Sequence, residues 1–364
     1  MAQIVSTSYD SSVSGLKGQT FHIPGLTPLF LSWKQGVNPY YERVRQFMDE
    51  QLAGLIKDEA VLRKMRMGDL ALFTCCLLPE ADYETLEIAA LYTIWAFLWD
   101  DVVDGSEAEG KGSESEVRKA EQYRDASYPF VKFHLIGASK EEVEPPAPNP
   151  ACGLFAEVAS RLRLACRDEA QIVAFCASIK AYMEACVVEA RCRVSGVLPS
   201  EEQFYEFRLQ TSAVGMLLDL SGMLNRVRLP AEVMAMSEVR HLRTHANKIG
   251  IIINELFSFK KELKDAVPLN LIPIVMQYHN LDLASAASHI IGLLRAHARD
   301  FDHGASAFRS GVALQHGNDT AEQADRLIGV YQSLVTCVLT FSIQSPRYGV
   351  LRDRQKDGSF RITL

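Results

Sequence analysis

The chain has 364 residues, of which 48% are hydrophobic and 23% charged, and a net charge of −7. Length and composition are those of a soluble globular protein with room for one large core or two small ones. The acidic balance excludes the broad basic face that a nucleic-acid partner requires, but not an anionic ligand held by a few local cations.

Residues 1–37 read as irregular, with Gly, Ser, Thr and Pro throughout. No basic start followed by an apolar run is present there, so no secretory leader is expected. Asn38 then reads as an N-cap and Pro39 as the first position of a helix. A short apolar helix, MGDLALFTCCLLP, closes at Pro79, and a long one, ADYETLEIAALYTIWAFLWDDVVD, closes at Gly105. The polar run at about 105–115 reads as a flexible insert, and a helical pattern follows to about Leu135. The charged, proline-rich run at 138–151 is expected to be a second insert of the same kind. It interrupts one domain rather than dividing two, because similar helical patterns resume after it. These cover about 153–166, 168–193, 200–225, 231–246, 247–265, 269–279, 283–301 and 320–343, with Ser200 and Gln203 as a capping box. Residues 351–364 read as a tail with a turn signal at Asp357-Gly358.

Period-2 strand patterns are scarce, so the expected fold class is all-α. Many helices are apolar on more than one face and must be central in a bundle. No apolar stretch of about 18 or more residues stands out, so no membrane span is expected. The eight cysteines form no C-x-x-C pair and several sit in apolar helical stretches. They read as reduced, buried residues of a cytoplasmic protein.

The segment WAFLWDDVVDG places Asp100, Asp101 and Asp104 at the end of an apolar helix. Asp100 and Asp104 share a face, and Asp101 is turned about 100° from Asp100. Carboxylates are poorly placed there, since a helix C-terminus is itself negative and the acids repel one another. A bound cation removes both penalties, and hard oxygen ligands suit Mg²⁺. Asp100 ranks first as a direct ligand and Asp104 second, while Asp101 is expected to orient Asp100 or to pair with a cation. A solvated acidic helix end is the plainer alternative.

A second stripe lies in IIINELFSFKKELK, where Asn254, Ser258 and Glu262 are spaced i, i+4, i+8. The residues around them make this helix buried, and three oxygen-bearing side chains on one buried stripe need partners. An interhelical hydrogen-bond network meets that need, and so does Mg²⁺. Facing the aspartate cluster, the stripe completes a site for Mg²⁺ ions around a diphosphate.

DDxxD followed by NxxxSxxxE resembles the class I terpene cyclases of fungi and bacteria. Glu255 stands where that family usually has aspartate. The Arg347-Tyr348 pair is similar to the family's C-terminal pair that hydrogen-bonds diphosphate, with Phe341 where a tryptophan is usual. Arg208 matches its diphosphate-sensing arginine. By the same match Thr211 and Ser212 fall in the effector region, where a helix break is expected, with Gly215 as the alternative break. The resemblance covers roughly residues 38–350. It implies a single-domain helical bundle around a central cavity, with three Mg²⁺ ions and a prenyl diphosphate as substrate. It also implies Arg208, Lys261, Arg347 and Tyr348 as diphosphate ligands, and a homodimer is in keeping with it. The mechanism that follows is ionisation of the diphosphate ester in a dry, apolar pocket. Phe97 and Phe341, and more loosely Phe73 and Trp95, are the candidate aromatic faces for the cation. One domain of this size fits a sesquiterpene cyclase acting on farnesyl diphosphate. The rivals are a diterpene cyclase acting on geranylgeranyl diphosphate, a chain-elongating prenyl transferase, and a helical scaffold without catalysis.

Overall fold

The computed structural model describes residues 13, 15–103, 114–137, 143–264 and 269–364. Asp104, most of the first expected insert and residues 138–142 of the second lie outside these residues. Among the described residues the fold is all-α apart from one two-stranded ribbon. Helices α1 (Tyr41–Leu55), α2 (Glu59–Met67) and α3 (Leu70–Leu77) lead into α4 (Tyr83–Val103) and α5 (Glu114–Ile136). After α6 (Pro150–Gly153) and α7 (Phe155–Ala165) come α8 (Glu169–Ser195), α9 (Glu201–Thr211), α10 (Val214–Leu224) and α11 (Ala231–Met234). The chain continues with α12 (Ser237–Lys264), α13 (Leu271–His279), α14 (Leu283–His316) and α15 (Asn318–Gln344).

Three elements are central. In α4 the buried residues run almost without gap from Leu86 to Trp95, as expected of a helix with apolar residues on every side. α12 and α15 pack against one another, and α12 packs against α14 over much of its length. α8 and α15 are also long and apolar enough to cross a membrane by length and composition, which the reading of the sequence overlooked. In this fold their most apolar stretches are 50% and 67% buried against other helices, the pattern of bundle cores.

Several boundaries differ from expectation for identifiable reasons. Asn38 is no N-cap. It is buried, donates to the Leu78 and Ala81 carbonyls at 2.9 Å, and accepts from the Tyr40 N–H, while α1 starts at Tyr41. The stretches 231–246 and 247–265 are not two helices: α12 runs unbroken through SEVRHLRTHANK because Val239, Leu242, Ala246 and Ile249 form one buried face beneath its polar residues. The capping box at Ser200 and Gln203 is present, with both reciprocal bonds. All eight cysteines are free and all but Cys192 are fully buried. Burial pushes the Cys75 and Cys76 thiols up to about 12.

The N-terminal segment read as irregular meets the C-terminal tail. β1 (Thr20–Ile23) pairs antiparallel with β2 (Phe360–Thr363), Thr20 opposite Thr363. Their apolar side chains face α12, Phe21 edge-on to Phe259 at 6.3 Å and Phe360 edge-on to Phe257 at 5.2 Å.

Candidate active site

A cavity of about 280 Å³ opens between α4, α8, α9, α10, α12 and α15. Its depth is apolar. Phe73, Phe97 and Phe341 form a mutually edge-on triangle with centroids 6.0, 5.2 and 6.3 Å apart. All three line the cavity. Trp95 does not: it is fully buried behind α4, 4.6 Å from Phe155 and 5.5 Å from Tyr92. The reason is helical phase, since Tyr92, Ala96 and Asp100 share the inward stripe and residue 95 points elsewhere.

The mouth is polar. Asp100 lines it and accepts a 2.7 Å bond from the Tyr182 hydroxyl of α8. Asp101 is not among the lining residues. From α12 come Asn254, Ser258, Lys261 and Glu262, and from the segment after α15 come Arg347 and Tyr348. Asn254 Nδ2 donates to the Tyr348 hydroxyl at 3.1 Å, and its Oδ1 accepts from Arg208 at 2.8 Å. The Arg347 guanidinium sits 5.4 Å from the centre of the Phe97 ring. The cavity thus gathers Asp100 from the first cluster, all three residues of the second stripe and the Arg-Tyr pair, whereas Asp101 stands outside it.

Arg208 is anchored by the residue that departs from the expected pattern. Its Nε and one terminal nitrogen reach the same Glu255 oxygen at 2.9 and 2.8 Å. Burial opposes the charge on Arg208, but Glu255, Glu189 and Glu262 outweigh it and raise its pKa. Burial likewise pushes Glu255 up, against the pull of Arg208 and of the Leu271 N–H that the carboxylate accepts. Glu262 lies beyond the pair. Burial and the neighbouring Glu255 push its carboxyl up to about 7, although the nearby Ser258 hydroxyl and the Asn270 amide, 2.9 Å away, oppose this.

The helix break falls beside Thr211 and Ser212, between α9 and α10. Ala213 takes a left-handed φ of 61° there. Gly215 is not the break. It lies inside α10, does not line the cavity, and gives its carbonyl to Arg243 at 2.8 Å. Asn247 of α12 braces the break: its Nδ2 donates to the Leu209 carbonyl at 2.7 Å, and its Oδ1 accepts from the Ser212 hydroxyl at 2.9 Å. Reading the sequence missed Asn247, although it extends the Asn254 stripe by two turns at the same phase. It also missed Tyr182, Glu189 and Arg193, which lie at i, i+7 and i+11 on α8 and so share one helix face toward the cavity.

Comparison with known proteins follows this geometry. Residues 92–300 match the model of terpene synthase family 2, C-terminal metal binding. A sesquiterpene cyclase of Aspergillus oryzae, hepA, is 25% identical over 354 residues, covering 96% of this chain and 94% of that protein. Pristinol synthase of Streptomyces pristinaespiralis is 26% identical over 328 residues, covering 86% and 82%. The linalool/nerolidol synthase of Streptomyces clavuligerus, solved with 2-fluorogeranyl diphosphate, superposes with a TM-score of 0.72 at 17% identity, covering 84% of this chain and all of that one. The family match spans more than half of the chain and contains both polar stripes, so this protein belongs to terpene synthase family 2, the metal-binding class I terpene cyclases.

Proposed function

We propose that this enzyme converts farnesyl diphosphate to a cyclic sesquiterpene hydrocarbon or alcohol with Mg²⁺ as cofactor, within one catalytic domain at residues 38–350. The observation that carries this reading is a single cavity with a wall of aromatic rings and a mouth of oxygen ligands and cations. The A. oryzae relative is a sesquiterpene cyclase. A volume of about 280 Å³ lies at the small end of ligand pockets, which run from about 300 to 1,000 Å³. That favours the shorter substrate over geranylgeranyl diphosphate.

The residues at the mouth fit Mg²⁺. Asp100, Asn254, Ser258 and Glu262 offer only hard oxygen donors, and the buried Ser258 hydroxyl makes no well-formed hydrogen bond among the described residues. Bound to them, Mg²⁺ would offset the negative charge of the leaving diphosphate. Arg208, Lys261, Arg347 and Tyr348 bind that group and stabilise the charge it gains as the carbon–oxygen bond breaks. Glu255 holds Arg208 in place for this task, and Tyr182 holds Asp100. The apolar wall excludes water from the allylic cation. The ring faces of Phe73, Phe97 and Phe341 stabilise the cation as it cyclises. Thr211 and Ser212 at the break relay diphosphate binding from Arg208 to the pocket.

Incubation with geranyl, farnesyl and geranylgeranyl diphosphates, with and without Mg²⁺, tests the reading by mass spectrometry of volatile products. The expected result is a cyclic C15 product from farnesyl diphosphate that disappears with EDTA. Longer diphosphates formed on adding isopentenyl diphosphate would instead make the enzyme a chain-elongating transferase.

A further inference from the structure

A second group of chemically capable side chains lies away from the cavity, where α12 crosses α14. α12 contributes His241 and His245, spaced i, i+4, and α14 contributes His297 and Asp300, spaced i, i+3, so each pair shares a helix face. His245 Nδ1 is 3.1 Å from His297 Nδ1 and 3.9 Å from Asp300 Oδ2. One ligand atom from each of these three residues lies within 4.8 Å of the other two. None of them lines the cavity. His245 precedes Asn254 by nine residues on the same helix, or about 13 Å at 1.5 Å per residue.

We propose that His245, His297 and Asp300 form a second cation site, for Zn²⁺ or a transition metal of similar preference, which ties α12 to α14. The distances fit such an ion. Metal–ligand bonds of about 2.0–2.1 Å put neighbouring ligand atoms about 2.9 Å apart in an octahedron and about 3.3 Å apart in a tetrahedron, and the imidazole pair at 3.1 Å falls between. Asp300 is half exposed, so a side-chain rotation closes the remaining gap. Two imidazole nitrogens and one carboxylate select Zn²⁺, Ni²⁺ or Cu²⁺ over Mg²⁺.

The surroundings hold the ligands in place. The His241 ring lies against His245, centroids 4.2 Å apart, and its Nε2 is 3.0 Å from the Asp300 carbonyl. Gly304 permits this close approach, because a Cβ there would come within 2.6 Å of the His241 ring. His241 thus supports the site from behind, as outer ligands commonly do. Burial lowers the pKa of both His245 and His297, helped for each by the nearby Lys248 ammonium. Burial thus disfavours the charged form of both rings. In the shared contact one Nδ1 donates and the other accepts. A cation bound at both Nδ1 atoms requires the donor ring to carry its proton on Nε2 instead.

Titration calorimetry of the untagged full chain with ZnCl₂ in excess MgCl₂ tests the proposal. One Zn²⁺ per chain at micromolar or tighter affinity is expected, weakened at least about tenfold by His297→Gln or Asp300→Ala and unchanged by Asn254→Ala. Absence of binding, or loss of binding on Asn254→Ala and not on Asp300→Ala, would overturn it. Asp300 is exposed enough that its loss does not threaten folding. As a check that needs no variant, electron paramagnetic resonance with one Cu²⁺ per chain should show hyperfine coupling to two imidazole nitrogens. Coupling to fewer than two would also overturn the site.

Discussion

Ser258 Oγ is buried on the inward stripe of α12, and the Glu262 carboxyl one turn on is the group it approaches, in too poor a geometry for a full hydrogen bond. Removing a hydroxyl so poorly satisfied takes little hydrogen-bond energy away. Ser258→Ala is therefore expected to leave the metal-free melting transition unchanged to within about 0.5 kcal/mol, while Mg²⁺-dependent turnover falls at least about tenfold. Parallel losses in both would mark Ser258 as a packing residue. Glu262 adds a pH dependence. Its carboxyl, ordinarily near 4.5, releases its proton only near 7 in the folded chain, so between those values the folded state binds more protons than the unfolded state. Its contribution to stability is full below about 4.5 and is lost as pH rises through about 7. Melting in EDTA should accordingly show wild type losing stability relative to Glu262→Gln across that interval, and the reverse trend would mean that Glu262 is ionised throughout. Asn254, Ser258 and Glu262 were legible in the sequence because one helical period aligns them. Tyr182 was not, because its partner Asp100 is 82 residues away and no local pattern joins them. Glu255 stands where aspartate is usual, and its role was not legible: one oxygen seats Arg208 while the other is fixed by the Leu271 N–H.

Between α9 and α10 the chain changes direction at Ala213, whose left-handed φ is costly for a residue with a Cβ. The turn survives because Asn247 satisfies the Leu209 carbonyl and the Ser212 hydroxyl together. Asn247→Leu removes both bonds, leaving the part-buried Leu209 carbonyl without its side-chain donor and the Ser212 hydroxyl with only the Val214 N–H, at a cost of about 1–3 kcal/mol if water does not replace them. The expected outcome is a lower melting temperature together with a fall in kcat larger than that of a surface variant of equal stability, because the loosened break also carries Thr211 and Ser212. A melting loss with kcat intact would show that the break only connects two helices. Its location was legible from the Arg208 spacing. The brace was not, because Asn247 lay in what reads as the start of a separate helix. α14 shows the same limit, since it runs to His316 where the apolar pattern had suggested an end near residue 301. The chain past that point is polar on its outer face, but Ala305, Phe308 and Val312 keep one buried stripe.

At the scale of the whole molecule, the ribbon was the least legible part of the fold. Four-residue strands give little periodic signal, and the Thr20 and Thr363 hydroxyls that meet across it are 343 positions apart. Closing a flexible loop of that length costs about 5 kcal/mol in chain entropy, so the pairing gains from forming only after the helices have packed. The order of events has a kinetic consequence. Contacts made after the folding barrier slow unfolding without hastening folding. Phe360 on Phe257 is such a contact, and Phe360→Ala should destabilise the protein by about 3–5 kcal/mol. In stopped-flow denaturant jumps that loss should appear as faster unfolding, with the refolding arm nearly unmoved. A slowed refolding arm would place the ribbon early instead. Phe257 and Phe259 flank Ser258, so the ribbon works as a latch on the reverse side of the helix that carries the oxygen ligands. The lifetime of the assembled site is then set by how long that latch stays shut.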